Sequence, residues 1–99
     1  MALTAENEQR LQAAGLIEFF EKNKPLFKAM AEEAFAYASK YVTSAGLPIR
    51  IDDVAVAFEP ALKVSVPLEK FLATKRLTQK YWFRYFADLV LDRLWKELI

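Results

Sequence analysis

Three pairs of carboxylates are the side chains of this sequence closest to an acid–base or metal-binding arrangement: Glu32/Glu33, Asp52/Asp53 and Asp88/Asp92. Such chemistry needs two carboxyls facing each other in environments that separate their pKa values. None of the three pairs has that pattern. Glu32 and Glu33 fall on the polar half of a helical wheel. Asp52 and Asp53 stand directly before an apolar run, where acids cap helices. Asp88 and Asp92 lie one turn apart, with Arg84 and Lys96 one turn outside each, a ladder of surface charge at i, i+4. The chain has no Cys and no His. That removes thiol nucleophiles, disulfides, the usual zinc sets and the commonest general base near neutral pH. Gly15 and Gly46, the two glycines, are too far apart to build a phosphate-cradling loop. The expectation is a protein that is not an enzyme, with no metal, no cofactor and no small-molecule substrate.

Recognition chemistry is better represented. The net charge is +1, yet residues 63–84 carry Lys63, Lys70, Lys75, Arg76, Lys80 and Arg84 against Glu69 alone. From Lys75 to Tyr85 the cations alternate with Tyr81, Trp82, Phe83 and Tyr85. Lys and Arg meet phosphates, and Tyr or Trp stacks on an exposed base. Lys75, Arg76, Lys80 and Arg84 are therefore the candidate nucleic-acid contacts. A helix, a short turn near 75–77 and a second helix also give the outline of a helix-turn-helix. The plainer reading is a solvated corner that complements the negative C-terminus of the preceding helix.

These side chains must be positioned by helices. Residues 5–22 read as one helix capped by Thr4, with its apolar face gathering late at Ala13, Leu16, Ile17 and Phe20, so its start should fray. Residues 25–43 form the clearest helix. Pro25 suits its first turn, and Leu26, Phe27, Met30, Ala31, Ala34, Phe35, Tyr37, Ala38, Tyr41 and Val42 share one half of the wheel. Gly46 and Pro48 end it. Within 49–66 two readings compete. One is a short extended Ile49-Arg50-Ile51 followed by a helix over 53–59 that Glu59-Pro60 terminates. The other is a hairpin pairing Val54–Phe58 with Val64–Val66. The acidic cap before Val54 favours the helix. Ser65 caps a helix over 66–74, and Thr78 caps the last, 79–98.

That final helix carries Trp82, Phe83, Phe86, Ala87, Leu89, Val90, Leu91, Leu94 and Leu98 in an apolar arc of about 200°, wider than a surface helix needs. It is either central to the bundle or shared with another chain. The chain also holds eight Phe, four Tyr and two Trp in 99 residues, more rings than a small core absorbs easily. Tyr81, Trp82, Tyr85, Phe86, Leu89 and Trp95 are accordingly the candidate partner interface.

The whole reads as a single all-α domain over 1–99, a bundle of four to five helices, acting as a homo-oligomer or as an accessory or regulatory subunit. Nucleic-acid binding through 75–85 is the alternative. The N-terminus lacks the pattern of a signal peptide, and no apolar run approaches a membrane span, so a cytoplasmic protein without membrane contact is expected. Ala34 to Phe58 resembles the end of the long helix, the second loop and the last helix of a histone fold. The likeness covers about a quarter of the chain. Pro25 would shorten the long helix, the first helix does not match, and 79–98 would be an addition, so no family is assigned on it.

Overall fold

Gly15 divides the first expected helix in two. In the computed structural model, which describes residues 3–99, it sits at φ 79° between α1 (Ala5–Ala13) and α2 (Leu16–Lys22). A left-handed backbone is open to glycine at little cost and stops a right-handed helix. Thr4 caps α1 as expected, its Oγ1 accepting the Asn7 backbone N–H at 3.1 Å. Beyond its exposed first turn α1 is tied down: Leu11 is fully buried and Glu8 holds Arg93 of the last helix at 3.0 Å.

Four more helices follow: α3 (Lys24–Ser44), α4 (Ile51–Lys63), α5 (Val66–Thr74) and α6 (Tyr81–Leu98). No strand forms among the described residues, so the hairpin reading of 49–66 is set aside. Residues 47–50 run as irregular chain, and the Asp53 carboxylate accepts the Arg50 backbone N–H at 3.1 Å, closing the start of α4. Helix α4 does not end at Glu59-Pro60 but runs through Pro60 to Lys63. An interior proline costs a helix ~3 kcal/mol. Here the continuation places Leu62 in the core beside Val54, Ala55 and Phe58, all fully buried. Burial of a leucine returns about 2–3 kcal/mol, so the helix carries on. Ser65 takes the cap position of α5 in extended backbone. Thr78 does not cap α6, which begins at Tyr81 after Lys80, with Gln79 accepting from the Trp82 ring N–H at 3.3 Å.

Helix α6 is the axis of the bundle. It packs against α1, α2, α3 and α4. Every residue from Phe86 to Leu91 is buried, as are Trp82 and Leu94. Over residues 86–91 the helix is covered all round and needs no polar face, which accounts for its wide apolar arc, while Asp92, Arg93, Lys96 and Glu97 are exposed in its last turns. Around Phe86 the rings of Phe27 (4.9 Å, edge-on), Phe19 (6.1 Å) and Phe20 (6.3 Å) close the centre. Helix α3 meets this core along a narrow seam, Phe27, Ala31, Ala34 and Ala38. The small alanines admit close approach by α4, with which α3 forms the most extensive pairing of the fold.

Candidate functional site

The seam of α3 is narrower than its apolar half-wheel, and the difference lies at the surface. Tyr37 is 57% exposed and Tyr41 63% exposed, although both fall on the half of the wheel expected to point inward. The described contacts of α6 with α3 are at Lys24, Phe27, Lys28 and Phe35. The last turns of α3 are paired with α4 instead. Tyr37 and Tyr41, at i, i+4, stand with ring centroids 5.1 Å apart, and the Tyr41 hydroxyl donates to that of Tyr37 at 3.2 Å. Val56, 67% exposed, and Pro60 face them from α4, again at i, i+4. Between the two rows runs a groove of about 630 Å³, with Val42 and Asp53 at one end. A second depression of about 340 Å³ adjoins it, sharing Val42 and Asp53 and adding Leu47, Pro48 and Arg50. Leu47 is 61% exposed.

This groove was absent from the sequence reading, which placed the partner surface on α6. There the structure corrects the expectation for three residues. Phe86 and Leu89 are fully buried in the chain's own core, and Trp82 is buried against α1 and Tyr85. Phe86 and Leu89 have no surface to offer a partner, and Trp82 only the small part that lines the concavity beside Tyr81 and Tyr85. Trp95 is half-buried, edge-on to Phe35 at 5.7 Å. Tyr85 is half-buried and its hydroxyl accepts from Arg10 at 3.4 Å. Only Tyr81 of the six is exposed.

The basic segment is divided in the same way. Arg84 faces inward to acids: its Nε donates to Asp88 at 3.1 Å and its Nη2 lies 3.6 Å from Asp52. Asp88 is buried, which pushes its carboxyl above the usual carboxylate range, with Arg84 pulling the other way. An arginine needed by a buried carboxylate is not available to a phosphate. The pair is the i, i+4 contact of the expected ladder, but Asp88 lies inside the fold and not at the surface. Lys75, Arg76 and Lys80 are exposed, and among the described residues no carboxylate lies within ion-pair distance of them.

Among the described residues no group of three or more acidic side chains is placed to hold a metal, and no helix is long and apolar enough to cross a membrane. Comparison with protein-family models, with curated proteins and with solved structures found no match to this chain.

Proposed function

We propose that the protein is a non-catalytic interaction module that works as a homodimer joined through the α3–α4 face. The observation that carries this reading is the exposed row of Tyr37 and Tyr41 opposite Val56 and Pro60. At roughly 60% exposure, two tyrosines present on the order of 240 Å². With Val42, Leu47, Val56 and Pro60 the face offers on the order of 500 Å² per chain. Two such faces in a two-fold pair bury about 1,000 Å², the lower bound for a specific interface.

The lining holds one cation and one acid, Arg50 and Asp53, so it selects no partner of strong charge. A two-fold pair requires only that a patch complement itself, and two rows at i, i+4 spacing interdigitate with their own copies. The modest area implies a reversible dimer with a dissociation constant on the order of micromolar.

The absence of native cysteine makes a direct test simple. Val56→Cys under mild oxidation should give a disulfide-linked dimer, whereas Thr74→Cys, exposed on α5 away from the groove, should stay largely monomeric. Equal cross-linking of the two variants, or none at Val56→Cys, would overturn the proposal.

A further inference from the structure

We infer that the turn joining α5 to α6, with the aromatic concavity beside it, binds single-stranded nucleic acid. Residues 70–80 contain Lys70, Lys75, Arg76 and Lys80 and no acid. All four are exposed. The cations of α1 and α2, and Arg84 and Arg93 of α6, are held by carboxylates. Lys40, Arg50 and Lys96 also have no carboxylate within ion-pair distance among the described residues, but they fall singly in the sequence, whereas these four fall within residues 70–80, with Lys75 over the Phe71 ring at 5.7 Å. Glu18, which shares a shallow depression with Lys75, is engaged by Lys22 at 2.9 Å.

Arg76 adds a second observation. It sits at φ 58°, just past the end of α5. Its N–H bonds to the Ala73 carbonyl at 3.0 Å, and the Leu77 N–H to the Leu72 carbonyl at 2.9 Å. This is the helix-ending loop whose left-handed residue is ordinarily glycine. An arginine there costs about 1–2 kcal/mol in backbone strain. Its exposed side chain makes no hydrogen bond or ion pair among the described residues that would offset the strain, which fits a side chain kept for an external anion.

The third observation selects the kind of anion. Tyr81 is 47% exposed and lies against Tyr85, with centroids 5.1 Å apart at 37°. Both rings, with Trp82, Arg10, Ala13 and Ala14, line an open concavity of about 670 Å³. Exposed aromatic faces accept a planar base by stacking, whatever its sequence. In a duplex those base faces are already stacked on one another, so the platform suits an unpaired strand. The two halves of the site meet at the α1–α2 turn. Ala14 lines the aromatic concavity, and Lys75 Nζ lies 3.8 Å from where a Cβ on Gly15 would be.

The test is fluorescence anisotropy of the full chain with a labelled oligothymidylate of about 20 nucleotides, a duplex of the same length and anionic phospholipid vesicles as competitor. The strand should bind best, with log K falling against log salt at a slope of roughly −2 to −3 for three to four phosphates. Arg76→Gly should melt higher than wild type, bind several-fold more weakly and lose about 0.7 of that slope. Lys80→Glu should weaken binding without changing the fold. Tyr81→Ala should weaken strand binding about tenfold, the loss of one stacked base. The inference is overturned by no binding at low salt, by Arg76→Gly binding like wild type, or by Tyr81→Ala having no effect while duplex or vesicles compete equally with the strand.

Discussion

Replacing Phe86 with Ala separates a core residue from an interface residue. Phe86 is fully buried, with Phe27 edge-on at 4.9 Å and Phe19 and Phe20 within 6.3 Å. Truncating a phenylalanine in such a site costs about 3–5 kcal/mol in lost transfer energy and in the cavity left behind. The close Phe27 contact adds to this by up to about 1 kcal/mol, so the upper half of that range is expected. For a domain of this size, each kcal/mol lowers Tm by about 4–8 °C, which puts the fall at 15 °C or more. Domains of this size are stable by about 5–15 kcal/mol, so the variant should remain folded only marginally at room temperature. The assay is thermal and urea unfolding followed by circular dichroism, at one dilute protein concentration to hold any dimer linkage constant. If Phe86 instead contacted a partner, its removal would leave the melting of the dilute chain nearly unchanged and weaken association alone. A shift below 5 °C would refute the placement of α6 at the centre of the bundle.

Three further substitutions probe particular joints. Gly15→Ala should cost about 1 kcal/mol through its positive φ, since the new Cβ would meet Phe71 at an ordinary 3.6 Å; urea unfolding that shows no loss would place the strain elsewhere. Pro60→Ala should stabilise the fold by about 1–3 kcal/mol, because it restores an N–H inside α4; destabilisation by the same measurement would mean that α4 ends where the proline stands. Burial raises the Asp88 carboxyl, so this group favours the folded state most at low pH, and that advantage is lost as pH rises from about 4 through the raised value. Asp88→Asn lacks this dependence, and its stability relative to wild type should climb over that interval in a pH series of melts. A difference that stays flat or declines would contradict the burial account.

What the residues disclosed beforehand were the helices whose signals are local. Thr4 before Glu6 and Glu8, Pro25 ahead of an amphipathic run, and Ser65-Val66-Pro67 all mark starts that short-range chemistry decides. The departures came where tertiary packing outweighs local preference. Gly15 lies inside the helix read over 5–22, and only its left-handed φ of 79° in the folded chain shows the break. Pro60 reads as a stop because the gain from burying Leu62 beyond it is a long-range quantity. The α3–α4 groove was missed for a related reason. An apolar arc on a wheel shows which residues avoid water, but not which neighbour covers them. Over residues 86–91 of α6 neighbours cover the whole helix, and on the last turns of α3 one side is bare. The signal that would have located the groove is the pairing of Tyr37 and Tyr41 with Val56 and Pro60. Rows at the same i, i+4 spacing stand on two consecutive helices joined by a short connection. Likewise Arg84 could not be told from Lys80 until Asp52 and Asp88 were brought beside it.

The α3–α4 dimer is tested most directly by sedimentation equilibrium of wild type and Tyr41→Glu over a range of about 1–100 µM, bracketing the expected dissociation constant. Wild type should move from the mass of one chain toward that of two across this range. Tyr41→Glu, which sets a charge in the middle of each face, should remain at one chain throughout with an unaltered melt at low concentration. Wild type that stays monomeric at the highest concentration, or a Tyr41→Glu variant that dimerises as wild type does, would contradict the account.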